Sequence, residues 1–181
     1  MSLAKEYLST VIKRLKYYKD LGDKTFEQLN DWDFHYQPNE ESNSIAIIIR
    51  HMSGNMLSRW TNFLTEDGEK EWRQRDDEFE IHSHNKKDLI ESWEKGWTCF
   101  LDALGSLKKK DLKKTVHIRK EGLTVIDAIN RQLAHYPYHV GQIVHIAKII
   151  KGKNWNTLSI PKGGSQAYNN NAEVKDPAKK Y

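Results

Sequence analysis

Apolar side chains recur every three or four positions in four stretches of the chain, the spacing of helices that bury one face. These stretches cover residues 3 to about 22, 45 to about 65, 85 to about 104, and 125 to about 151. Ser44 and Thr124 are predicted N-caps of the second and fourth stretches, the third helix is predicted to start at Asn85, and Gly152 is predicted to end the fourth. The pattern therefore predicts an all-α protein, a four-helix bundle.

The connections between the predicted helices carry weaker patterns. A short helical turn is predicted around 26–29, followed by a loop through Gln37-Pro38-Asn39. The segment EKEWRQRDDEFEIHSH, residues 69–84, is too charged and irregular to bury a face and is predicted to be a loop over the bundle. Between helices three and four, TVHIRKEGLTV alternates apolar and polar residues around Glu121-Gly122, which predicts a small hairpin with its turn at this pair.

Composition places the chain among single-domain globular proteins. Its 181 residues are 38% hydrophobic and 30% charged, values that allow a core without disulfides. No apolar run is long enough for a membrane span, no signal peptide is evident, and the single cysteine fits a reducing cytoplasm. We predict a bundle domain over residues 1–160 and a largely disordered tail over 161–181, which is rich in Gly, Asn, Lys and Pro.

A basic stretch lies between Lys108 and Lys120, with seven Lys and Arg residues against Asp111 within it and Glu121 directly after it. Nucleic-acid binders combine such clusters with aromatic platforms or a groove-reading helix, and neither interrupts this stretch. The sequence therefore favours a solvated connection over a nucleic-acid interface. A nucleic-acid interface would require DNA binding that depends strongly on salt.

The fourth predicted helix contains HYPYHVGQIVH, residues 135–145. His135 and His139 lie four positions apart, about 40° around the helix axis, so both rings can reach one cation. The pair lacks the glutamate of the H-E-x-x-H metalloprotease motif, and two structural histidines remain an alternative. Pro137 between them costs about 3 kcal/mol in an ordinary helix, so it either adjusts a site or merely bends the helix around the core.

A third ligand is needed for a tetrahedral site, and His51 in IRHMSGNMLSRW is the best candidate. It sits at the edge of the apolar stripe of helix two, as His135 and His139 do on helix four. Three imidazoles would leave one coordination position open and suit Zn²⁺, Ni²⁺ or Fe²⁺ better than Mg²⁺ or Ca²⁺. The other histidines fall in predicted loops or point elsewhere: His35, His82, His84, His117 and His145.

Three further polar residues near these positions are candidate cofactor-binding groups. Asn55 lies one turn after His51, and Gln142 continues the line of the histidine pair. Arg59 is predicted to point inward and so to need an anionic partner. That partner is either a loop carboxylate or the carboxylate of a thiol cosubstrate; the loop candidates are Asp67, Glu69 and Asp77.

No catalytic residue can be assigned from the sequence. Cys99 lies off the aromatic stripe of helix three and outside any C-x-x-C motif, so it is predicted to be incidental. No acidic general base is evident near the three histidines.

The placement of His51 in IRHMSGNMLSRW and of His135 and His139 in HYPYHVGQI resembles the DinB/YfiT-like superfamily over roughly residues 1–160. The stretches NSIAIIIRHMSGNMLSRWTNFLTEDGEKEWR and LSIPKGGSQAYN are similar to a largely uncharacterised Bacillus-type branch. The resemblance implies a four-helix bundle with long crossover connections, a homodimer, and a metal held by these three histidines.

Several members of that superfamily are thiol-dependent transferases or isomerases. The first functional hypothesis is therefore a cytoplasmic, metal-binding S-transferase that joins a low-molecular-weight, bacillithiol-type thiol to a small-molecule substrate. A metal-dependent hydrolase is the second, and a non-catalytic bundle that binds a ligand or partner around a structural metal is the third. The resemblance fixes the expected metal rather than the substrate.

Overall fold

A computed structural model describes residues 2–171 and 175–181 of the chain. The protein is mostly helical and includes one two-stranded sheet. Its α-helices are α1 (Leu3–Phe26), α2 (Ile45–Trp60), α3 (Lys86–Ser106), α4 (Val125–Lys151) and α5 (Ser165–Asn170), and its strands are β1 (Thr115–Ile118) and β2 (Glu121–Thr124). Short 3-10 helices lie at Asp31–His35, Asp77–Phe79, Lys109–Lys113, Gly152–Asn154 and Pro177–Lys180.

The caps predicted at Ser44 and Thr124 are confirmed, and Asn85, predicted as the start of the third helix, is its N-cap. The side chains of Ser44, Asn85 and Thr124 each accept a hydrogen bond from the backbone N–H three residues further on, at 3.0–3.3 Å. These bonds satisfy N–H groups that have no partner within the helix. Gly152 ends α4 with a φ of 51°, a backbone conformation that glycine adopts without strain.

The prediction that the first helix ends near Gly22 is wrong, because α1 continues to Phe26. Gly22 lies inside the helix, and the ring of Trp93 occupies the space that a side chain would need. The Cη2 atom of Trp93 lies 2.9 Å from an ideal Cβ built on Gly22. The glycine therefore serves helix packing instead of termination. The turn predicted around 26–29 is the end of α1, and the 3-10 helix comes later, at Asp31–His35.

The second helix is also shorter than predicted, since α2 ends at Trp60 and not near Thr65. Asn62 has a φ of 50°, which breaks the run of helical backbone. Asn is among the few residues that tolerate this left-handed conformation.

The predicted hairpin is confirmed, but its turn is not at Glu121-Gly122. These two residues belong to β2, and the turn is made by Arg119 and Lys120, both with positive φ. The carboxylate of Asp67 accepts hydrogen bonds from both turn N–H groups, at 2.9 and 2.8 Å. A contact distant in sequence thus stabilises a turn that its own residues do not predict.

The four long helices share one hydrophobic core. The helix α2 packs against α3, and α1 packs against α4, with α2 also contacting α4. The core is dominated by large buried side chains: Phe34, Trp93, Trp97, Phe100 and Tyr136. Within the described ranges, none of the helices combines the length and the apolar character of a membrane span.

The end of the chain returns to α1. The Asp176 carboxylate pairs with Arg14, and Ala178 is fully buried. Residues 172–174 of the predicted tail lie outside the described residues. A domain boundary at residue 160 and disorder of the tail stay predictions.

Replacing Thr124 by alanine is expected to lower the free energy of unfolding by about 1 kcal/mol, because the first turn of α4 loses its cap. Thr124→Ser keeps the hydroxyl and is the matched control. Urea unfolding of both variants measures the difference. Equal stability of the two would contradict a capping role for this side chain.

Candidate metal centre

Three histidines from two helices meet in the structure. His51 on α2 and His135 and His139 on α4 each place one ring nitrogen within 4.8 Å of the others. His51 is buried, and the α4 pair is half-buried, as their predicted position at the edge of the apolar faces requires. Among the described residues this is the group of His, Cys, Asp and Glu side chains that could hold a metal ion.

Hydrogen bonds fix the tautomers of the α4 pair. His135 Nδ1 lies 3.2 Å from Gln132 Oε1, and His139 Nδ1 lies 2.7 Å from Gln142 Oε1. An amide oxygen only accepts, so each Nδ1 donates its hydrogen and the neutral ring keeps a lone pair on Nε2. The two Nε2 atoms are 3.0 Å apart. Two lone pairs at this distance repel each other unless a cation or a proton lies between them.

His51 is oriented by a carboxylate. Its Nδ1 lies 3.1 Å from Glu78 Oε2, which leaves Nε2 as its free nitrogen. Arg73 holds the same carboxylate through two hydrogen bonds, at 2.7 and 2.8 Å. Partners of this kind orient metal-binding imidazoles and raise their basicity.

The charge states of these groups favour a metal over a proton. Burial, followed by the neighbouring imidazoles of His139 and His51 and the charges of Arg131 and Arg73, lowers the pKa of His135 to about 3. Burial also lowers the pKa of His139; the hydrogen bond to Gln142 opposes this shift, and His51 adds a smaller lowering effect. Both rings are therefore neutral at pH 7, the form that binds metal.

Glu78 is ionised in spite of its burial. Burial alone would raise its pKa, but the hydrogen bonds from Arg73 and His51 outweigh this effect, and the pKa lies below the usual range. The carboxylate thus stays negative, with Arg73 as its counter-ion.

Glu78 and Arg73 correct one prediction from sequence. The segment 69–84 was predicted to be too charged and irregular to bury a face, yet both side chains are buried. The sequence showed no acidic general base near the ligands, and it also did not identify Glu78, which contacts His51 directly. The segment can approach α2 because Gly54, one turn after His51, has no side chain where the Glu78 carboxylate lies.

Arg50 fixes the same segment from outside. Its guanidinium donates to the backbone oxygens of Asp77 and Glu80 and to the Asp77 carboxylate, at 2.6–2.7 Å. The 3-10 helix that carries Glu78 is therefore held against α2 on both sides. No sequence signal marked Glu78 itself, although Arg73 and Arg75 directly precede the acidic residues 76–80.

Each of the three predicted cofactor-binding residues has a protein partner. Gln142 orients His139, and Asn55 accepts a hydrogen bond from the buried Tyr136 hydroxyl at 3.0 Å. Arg59 pairs with Glu69 at 2.8 Å and also donates to the Gly68 carbonyl, so the loop carboxylate is its partner in the structure. Contact of these residues with a cofactor stays a prediction.

The remaining histidines lie apart from the centre. His117 and His145 are exposed, His35 contacts the His84 carbonyl, and His82 lies 3.2 Å from Asp77. Pro137 lies within α4, which continues on both sides of it.

Glu78→Gln is expected to weaken Zn²⁺ binding about 10- to 100-fold, because His51 loses the carboxylate that orients it. Glu80→Gln removes the same charge from an exposed side chain two residues away and is the matched control. Competition titration with a chromogenic chelator gives both affinities. A Glu78→Gln affinity equal to that of Glu80→Gln would exclude the supporting role.

The family model of DUF1572, described as a protein of unknown function, matches residues 2–164. This range contains α1 to α4, the hairpin, and all three histidines. No curated protein and no solved structure matches the chain.

Proposed function

The chain belongs to the DUF1572 family, and from this premise we propose that it is a divalent-metal-binding protein with a DinB-like four-helix bundle. The observation that carries the proposal is the convergence of three imidazole rings. The Nδ1 atom of each ring lies next to a hydrogen-bond acceptor, which leaves Nε2 free to bind a metal. Four long helices around one core support the bundle. The Bacillus-type branch, the homodimer and the cytoplasmic location of the resemblance belong to the same proposal.

The donor set fits a transition metal. Two imidazoles that bind Zn²⁺ at 2.0–2.1 Å with a tetrahedral angle place their nitrogens about 3.3 Å apart, and His135 and His139 are 3.0 Å apart at Nε2. Three nitrogen ligands favour Zn²⁺, Ni²⁺ or Fe²⁺ over cations that prefer oxygen. In the proposed site, His51, His135 and His139 hold the ion, and Glu78, Gln132 and Gln142 orient them.

We propose that the reaction is the transfer of a small thiol to an electrophile. A bound divalent ion supplies the charge that lowers the pKa of a thiol at the open position. The thiol proton leaves to solvent, the sulfur forms a bond to an electrophilic carbon, and the carbon's leaving group departs with the electron pair. The chain holds the ligands rigid and supplies no nucleophile, since Cys99 is half-buried beside Thr61.

A hydrolase is less well supported, because Glu78 uses both carboxylate oxygens on Arg73 and His51. A general base needs a free oxygen within reach of the attacking water. Both oxygens of Glu78 are already hydrogen-bonded, so Glu78 has none free for this role. Nucleic-acid binding has even less support, because Lys114 and Arg119 of the basic stretch pair with Asp111 and Glu69.

The test is a thiol-transfer assay on the Zn²⁺-loaded protein, with small thiols and 1-chloro-2,4-dinitrobenzene as electrophile. The proposal expects product formation that requires both metal and thiol and is lost in His139→Ala. Ester hydrolysis without thiol would favour the hydrolase. Inactivity in both assays, with unfolding on metal removal, would favour a structural metal.

A further inference from the structure

Arg131 stands one helical turn before His135 on α4, so Arg131, His135 and His139 form one column along the helix. Its side chain is exposed, while the two histidines are half-buried. Arg131 has no hydrogen bond, ion pair or ring contact with any residue that the structure describes. Arg131 is thus an exposed arginine without a partner among the described residues, one helical turn from a histidine of the metal centre.

The charges of the centre do not balance once a divalent ion is bound. The three ligands are neutral imidazoles, and the charge of Glu78 is already matched by Arg73, with which it shares two hydrogen bonds. The two positive charges of the ion and that of Arg131 remain without a counter-charge from these groups. An anionic ligand is therefore favoured over a neutral one of the same size.

Aromatic rings flank the three histidines on both sides. Phe79 lies against His51 with ring centroids 4.9 Å apart, and Tyr138, which is 62% exposed, lies against His139 at 5.1 Å. An organic molecule can contact these rings, whereas a simple inorganic anion gains little from them. The surroundings thus favour a small organic anion.

We propose that Arg131 determines specificity by binding the carboxylate of a small thiol whose sulfur occupies the open metal position. A guanidinium matches the two oxygens of a carboxylate with two parallel hydrogen bonds. This inference rests on the proposed metal site and names the chemical class of its thiol. From the sequence, the carboxylate of a thiol cosubstrate was one possible partner for Arg59. In the structure Arg59 pairs with Glu69, and the proposal assigns that carboxylate to Arg131.

The experiment uses the full chain loaded with Co²⁺ and two thiols of equal length, 3-mercaptopropionate and 3-mercapto-1-propanol. The near-ultraviolet band of a thiolate bound to Co²⁺ reports each dissociation constant. The wild type is expected to bind the carboxylate thiol about tenfold more tightly. Arg131→Gln is expected to lose this preference and to bind 3-mercapto-1-propanol as the wild type does, and Arg131→Lys to keep part of it.

Lys148→Gln is the matched control, since it removes one positive charge from an exposed position further along α4. Its preference is expected to equal that of the wild type. A wild type without preference, or a preference that survives in Arg131→Gln, would overturn the role of Arg131 while leaving the metal site intact. Failure of the wild type to bind Co²⁺ at all would overturn the proposed function and this inference with it.

Discussion

Replacing Gly54 by alanine is expected to destabilise the protein by about 3 kcal/mol and to weaken metal binding at the same time. An ideal Cβ at this position would overlap the Glu78 carboxylate and lie 2.8 Å from its Cδ atom. The carboxylate has nowhere to go without breaking its bonds to Arg73 and His51. Arg73 is buried, and a buried charge that loses its partner is costly.

Gly141→Ala is the matched control for this variant. Gly141 lies on α4 between His139 and Gln142, is exposed, and has no atom within 4 Å of an ideal Cβ. Alanine there is expected to stabilise α4 by up to about 1 kcal/mol. Urea unfolding and a Zn²⁺ titration of both variants test the pair. If Gly54→Ala unfolds and binds Zn²⁺ like Gly141→Ala, the segment that carries Glu78 does not support the centre.

Gly96→Ala on α3 is expected to destabilise the protein by about 2 kcal/mol through overpacking. An ideal Cβ on Gly96 lies 2.9 Å from the Cα of Ser53, and backbone cannot rotate away as a side chain can. The two helices would have to separate at this contact. The Ser53 hydroxyl, which donates to the Ser92 carbonyl at 2.7 Å, lies at the same crossing.

Gly105→Ala on the same helix is the control, since nothing lies within 4 Å of its ideal Cβ. We expect its melting temperature to equal or exceed that of the wild type. Thermal unfolding followed by circular dichroism compares the two glycine variants. A Gly96→Ala protein as stable as Gly105→Ala would show that α2 and α3 can move apart at little cost.

The long helices and their starts could be predicted because each depends on local information. Ser44, Asn85 and Thr124 cap helices through bonds to a backbone group three residues away. The meeting of His51 with the α4 pair followed from the edge positions of all three on apolar faces. Their rings converge because two helix faces that share a core bring their edges together.

The features that sequence analysis missed depend on contacts between distant residues. Gly22 does not end α1, because Trp93 fills its space. The turn at Arg119 and Lys120 is stabilised by Asp67 from another part of the chain. Neither partner can be found from local spacing.

Glu78 was missed for a similar reason. A charged, irregular segment predicts an exposed loop, since burying a charge without a partner is costly. Here Arg73 and His51 supply the partners, and they are five and 27 residues away in sequence. The spacing of apolar residues in the sequence does not show that a buried charge has such partners.

The most direct test of the account is elemental analysis of tag-free protein, with wild type, His51→Ala and His139→Ala purified in parallel. The account predicts close to one transition-metal ion per chain in the wild type and loss of the metal in both variants. A wild type that is free of metal and does not take up added Zn²⁺ or Ni²⁺ would contradict it, and the three histidines would then be structural.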